Sequence, residues 1–113
     1  DSAEALRVLR EARTISQRAG EAKLEAFSLQ AMCKLHCLRN EPEEALKTSR
    51  EARELYRQAG DVQGELAALD AISALHLAQA ETEDARKAVD ETCRICEQSG
   101  DLMTKVSALH RLF

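Results

Sequence analysis

The side chains best able to do chemistry are four cysteines and three histidines. Cys33, His36 and Cys37 stand at i, i+3 and i+4, so a helix would carry all three on one face. Cys93 and Cys96 stand three apart and would share a face in the same way. A structural zinc site needs four nitrogen or sulfur ligands converging at about 2.0–2.3 Å, and these five residues are the candidates. Two features weigh against it: a Cys-x-x-Cys pair inside a helix is a weak metal signal, and His36 recurs 40 residues on as His76, as a structural residue would. A redox role for Cys93 and Cys96 requires a lowered thiol pKa, which no neighbour clearly supplies. The expectation is four free thiols in a reducing compartment, the cytoplasm or an organelle interior, with no metal and no cofactor. His110 has no Ser or Cys at a suggestive spacing, and the chain is expected not to be an enzyme.

Composition narrows the classes further. The 113 residues carry a net charge of −4, with two Phe, one Tyr and no Trp. A nucleic-acid binder would show a basic stripe, so no nucleic-acid partner is expected. No run of about 18 apolar residues exists, and no membrane insertion is expected. One Pro and four Gly leave Ala, Leu, Glu, Arg, Lys and Gln to dominate, all good helix formers.

The elements that would position these residues repeat. Residues 4–43 and 44–83 are identical at 16 of 40 positions without a gap, and Asp84 opens a third, partial copy. Gly20, Gly60 and Gly100 fall in register, as do Leu29, Leu69 and Leu109. A fixed period of this length is the mark of a stacked array. Apolar spacing predicts six helices over about 3–19, 22–39, 42–59, 62–79, 82–99 and 102–113. Pro42 suits a first helical turn, Asp61 an N-cap, and Thr82 is read as the cap of the fifth helix. The first, third and fifth helices are amphipathic, whereas the second and fourth are apolar nearly all round. Short turns make neighbours antiparallel, with the apolar type inside and the amphipathic type outside.

Ala45, Ala52, Gly60-Asp61, Gly64-Glu65, Ala68-Leu69, Ile72, Leu75 and Ala85 together resemble the tetratricopeptide repeat in its version of about 40 residues. The resemblance covers the whole chain, with departures. Cys33 and Ser73 fill the small mid-helix position, His36 and His76 replace an aromatic, and Leu29, Leu69 and Leu109 replace a larger one. Phe113 falls where the family has a small residue. The resemblance implies a right-handed α-solenoid of antiparallel helix pairs. Two complete repeats, about 22–60 and 62–100, are then flanked by half repeats, as in a fragment of a longer array. Apolar residues at both ends (Leu6, Leu9 and Ile15; Leu109, Leu112 and Phe113) suggest self-association through open ends, because terminal repeats are normally capped by polar faces.

The family binds protein or peptide partners on a concave face formed by the inner helices. Carried onto this chain, that face comprises Phe27, Gln30, Lys34, Cys37 and Leu38, then Ala67, Asp70, Ala74, Leu77 and Ala78, then Ser107 and His110. A small-residue floor with a few polar handles suits an extended peptide or a partner helix. Some members clamp a carboxylate with paired cations, but here a negative Asp70 stands beside Lys34, and that use is rejected. The expected function is therefore a scaffold or adaptor. The alternatives are an accessory subunit docked through its outer faces or ends, and a cysteine-based redox or zinc sensor.

Overall fold

The computed structural model describes residues 1–112 and is all-α. Its helices are α1 (Ser2–Arg18), α2 (Ala22–Leu38), α3 (Pro42–Ala59), α4 (Val62–Ala78), α5 (Thr82–Ser99) and α6 (Leu102–Arg111). Each packs chiefly on its neighbours in sequence, in a body of 37 × 30 × 18 Å. Among the described residues, no helix is long and apolar enough to cross a membrane.

The turns explain the period. A left-handed residue recurs every 20 positions, at Gly20, Asn40, Gly60, Ala80 and Gly100. The next residue's N–H then bonds back to the carbonyl five positions earlier, as in Glu41 to His36 (2.8 Å) and Asp61 to Tyr56 (2.9 Å). This satisfies a carbonyl the ending helix would otherwise leave open. Asp61 and Asp101 then cap the following helices by accepting from the N–H of Gly64 and Thr104. Thr82 is not a cap: it is the first residue of α5, and Glu81 precedes it. The Glu81 carboxylate is occupied elsewhere, as described below. Phe113 lies outside the described residues.

The buried face of each helix follows its apolar stripe. Leu6, Ala26, Leu29, Met32, Ala52, Tyr56 and Ala68 form one core cluster, and Leu69, Ile72 and Ala88 a second. Between α3 and α4 the fit is close. Gly64 lies against the Tyr56 ring, and a Cβ there would fall 2.2 Å from Tyr56 Cδ1. The same two places hold Ser16 and Leu24 one repeat earlier and Cys96 and Thr104 one repeat later. The large Tyr56 ring on α3 is thus matched by a residue without a side chain on α4. Buried Thr48 and Thr92 return their hydroxyls to carbonyls of their own helices, which satisfies them locally.

Two expectations about the ends are revised. Leu6 is buried rather than open, and the exposed apolar residues of α1 are Val8 and Ile15. At the other end Leu109 and Leu112 are half-buried, while Leu102, Met103 and Val106 are exposed.

Candidate functional site

Helices α2, α4 and α6 present the expected binding residues along two furrows. The first runs between α2 and α4. One part of it is a cavity of about 730 Å³ lined by Cys33, Lys34, Cys37 and Leu38 of α2, Asn40 and Glu41 of the turn, Pro42 at the start of α3, and Ala71, Ala74, Leu75 and Ala78 of α4. A second part, about 330 Å³, brings Phe27, Gln30 and Lys34 opposite Ala67 and Asp70, with Ser49 of α3 in its lining. Between α4 and α6 a further cavity of about 290 Å³ joins Ala67 and Asp70 to Ser107. Leu77 is half-buried and His110 exposed, and neither lines these three cavities.

Alanines on α4 open the first furrow. Where Lys34 stands on α2, its repeat equivalent on α4 is Ala74, so only one wall carries a long side chain. Phe27 and Leu38 are 66% and 82% exposed at the two ends of the α2 wall, although apolar side chains of this size are usually covered.

Two of the expected polar handles already have partners. Gln30 accepts a hydrogen bond of 2.5 Å from the Tyr56 hydroxyl, which ties the α2 wall to the core. Burial, reinforced by nearby Asp61, raises the Tyr56 pKa, so the phenol stays a donor. Asp70 accepts a hydrogen bond of 2.6 Å from Arg111 Nη2, which crosses from α6 to α4. Sequence reasoning missed Arg111. Its repeat equivalents are Ala31 and Ala71, so a charge appearing at an alanine position was the available signal.

Cys33 and Cys96 are buried, Cys93 is half-buried and Cys37 exposed, all as free thiols. Burial, then the neighbouring Cys37, pushes the Cys33 thiol up to about 11. Burial is also the largest cause raising Cys93 and Cys96. Helix α2 packs mainly on α1 and α3, and α5 on α4 and α6, so the two cysteine pairs lie in different parts of the stack.

His36 and His76 are buried, and each shares its Nδ1 with a glutamate beyond the helix end: Glu41 at 2.8 Å and Glu81 at 2.9 Å. At His76 the tautomer follows from Arg50, whose Nη2 lies 3.4 Å from Nε2. A guanidinium can only donate, so Nε2 accepts and Nδ1 carries the proton to Glu81. That bond, with the backbone bond from Glu81 to His76, closes the turn twice. Among the described residues, three potential ligand groups meet at His76, Glu81 and Asp84. Arg50, Arg53 and Lys87 line the cavity beside them, and those charges oppose a metal cation. Nothing there includes Cys33, His36, Cys37, Cys93 or Cys96.

On another face the repeat builds a charge ladder. Arg13 of α1 reaches Glu25 of α2 at 3.3 Å and Glu51 of α3 at 2.9 Å. Forty residues on, Arg53 of α3 reaches Glu65 of α4 at 3.7 Å and Glu91 of α5 at 3.3 Å. The third rung departs: Cys93 stands in the arginine place and Lys105 in the inner glutamate place.

No family model matches the chain, and no curated protein matches it either.

Proposed function

We propose that this chain is a non-catalytic protein-binding scaffold of the tetratricopeptide-repeat type, taking a peptide or partner helix in the furrow between α2 and α4. The observation that carries this reading is that furrow itself. Lys34, Ala74, Cys37, Ala78 and Leu38 line one cavity large enough for several apolar side chains, with a cation at its edge. The partner chemistry it suits is a segment with two or three apolar anchors and an acidic residue near Lys34. The histidines and thiols favour a non-catalytic role. His36 and His76 are tied to glutamates in turns, and the three cysteines whose pKa values are raised carry little thiolate at neutral pH. The sequential packing of alternating amphipathic and apolar helices agrees with a solenoid.

The test is affinity capture with the chain and with Ala74→Arg and Lys34→Glu, each checked for unchanged helicity. Ala74→Arg fills the cavity and Lys34→Glu reverses its charge, so capture of the same segment should fall at least about tenfold. Recovery unchanged by both substitutions would remove the furrow from consideration.

A further inference from the structure

One side chain on the α2 wall is held from behind. The Tyr56 hydroxyl donates to Gln30 Oε1 at 2.5 Å, and Tyr56 itself is buried in the larger core cluster. A carboxamide is planar and sends its oxygen and its nitrogen to different sides, so anchoring Oε1 on the core turns Nε2 away from it. Gln30 lines the part of the furrow of about 330 Å³, beside Lys34 and opposite Ala67. Among the described residues Nε2 donates to no protein group. It is not sealed off either: the buried side-chain nitrogen left without a partner there is Arg53 Nε. The pair is particular to this furrow. Tyr56 is replaced by Ser16 one repeat earlier and by Cys96 one later, and Gln30 by Asp70 and His110. The repeat architecture therefore does not require the bond.

Spacing along the wall says what these donors fit. Gln30 and Lys34 stand four residues apart on one helix face, a rise of about 6 Å. In an extended chain alternate residues lie about 6.6 Å apart and face the same way, so their acceptors match two donors at this spacing. Phe27 and Leu38, the exposed apolar residues at the ends of the wall, are separated by a rise of about 16.5 Å, which about five extended residues span. A helix laid along the same wall brings no free main-chain acceptor, because its carbonyls are bonded within it.

We propose, on the reading of the furrow as a binding site, that its occupant is an extended segment whose main-chain carbonyl accepts from Gln30 Nε2. Tyr56 is the positioning residue that fixes the amide, and an acidic side chain two residues along the segment meets Lys34. Across the furrow Asp70 is engaged by Arg111 at 2.6 Å, which leaves Lys34 to that acid.

The test selects random heptapeptides displayed on phage against the chain, and uses the selected peptides, made synthetically, as probes in fluorescence anisotropy. Gln30→Met keeps the length of the side chain and loses the donor, so affinity should fall about tenfold. Tyr56→Phe keeps the ring in the core and removes the hydroxyl alone, and should cost about fivefold. In the Gln30→Met background it should cost nothing further, as a positioning role requires and a loss of packing does not. Peptide amides replaced one at a time by esters, whose carbonyls are weaker acceptors, should reveal one position that costs affinity with the chain and none with Gln30→Met. Helix-favouring α-aminoisobutyric acid at the centre of the peptide should weaken binding. Peptides sensitive to Ala74→Arg but indifferent to Gln30→Met, or tightened by α-aminoisobutyric acid, would overturn the extended segment and leave the furrow standing. Equal losses from Tyr56→Phe in both backgrounds would overturn the positioning role. A selection yielding no peptide sensitive to Ala74→Arg would overturn the furrow and this proposal together.

Discussion

The contact between Gly64 and Tyr56 gives the sharpest quantitative prediction. An added Cβ at Gly64 lies 2.2, 2.4 and 2.6 Å from Cδ1, Cε1 and Cγ of the ring, so ring and helix must separate by more than 1 Å to reach ordinary contact, roughly 3.5–4.0 Å. The ring cannot simply swing out. It is 5% exposed, sits in the larger core cluster, and is held at its hydroxyl by Gln30. Overpacking of this kind costs about 1–3 kcal/mol. Alanine recovers up to about 1 kcal/mol of helix propensity, less in the first turn where Gly64 lies. Gly64→Ala should therefore destabilise the fold by about 1–2 kcal/mol, or lower Tm by roughly 4–9 °C for a chain of this size. Urea and thermal denaturation followed by circular dichroism measure both. Tyr56→Ser with Gly64→Leu rebuilds the Ser16–Leu24 pair of the first repeat, so the double variant should be more stable than the sum of its parts by about 1–3 kcal/mol. A neutral or stabilising Gly64→Ala, or strictly additive effects in the double variant, would refute the reasoning.

Ala80 is a non-glycine residue at φ 60°, where Gly stands at three of the five equivalent turns, so Ala80→Gly relieves about 1–2 kcal/mol of left-handed strain against a loss of about 0.5–1 kcal/mol in unfolded-chain entropy. A net gain of up to about 1 kcal/mol should appear as a higher urea midpoint; a lower one would contradict the strain. Arg53→Met leaves Glu65, 8% exposed, without its cation and should cost about 1–2 kcal/mol in the same assay, whereas Arg7→Met, in an exposed pair, should cost less than about 0.5 kcal/mol. Alkali should weaken the fold from about pH 9 to about 11: the unfolded Cys33 thiol ionises from its ordinary value while the buried one stays neutral to about 11, and Cys33→Ala should flatten that part of the pH profile. Acid weakens the fold too, through other groups. Hydrogen bonds from Lys105, Thr104 and Arg94 hold Glu97, Asp101 and Glu91 below their ordinary values, so their contribution is lost as pH falls through about 4 and below, which acid titration by circular dichroism would follow. A disulfide-exchange reagent should modify Cys37 first and Cys33 and Cys96 much later; equal rates would contradict their burial.

The amino-acid sequence by itself determined the helices, their number and their order. Helix periodicity, Pro42, the in-register glycines and the capping aspartates are local, and local chemistry acts within a few residues along the chain. Helix bounds accordingly agree within a residue or two; α6 ends at Arg111, and its expected end at Phe113 lies outside the described residues. Thr82 is misassigned from sequence because a helix start can slide by one residue without changing the apolar stripe, and only the turn geometry fixes it. Much of the furrow lining was legible too, because a fixed period projects equivalent residues to one side: Lys34, Ala67, Asp70 and Ser107 line the furrows. The tertiary structure decided what depends on pairs far apart in the chain. Arg111 reaches Asp70 across 41 positions, Tyr56 reaches Gln30 across 26, and Arg53 spans three helices. Arg111 and Tyr56 have no one-dimensional signal beyond a departure from the repeat, and Arg53 none beyond its recurrence from Arg13. The same holds for Val8 and Val106, which read as ordinary apolar positions until burial shows them exposed where their repeat equivalents are covered. Burial is a property of neighbours in space, which periodicity along the chain orders but does not supply.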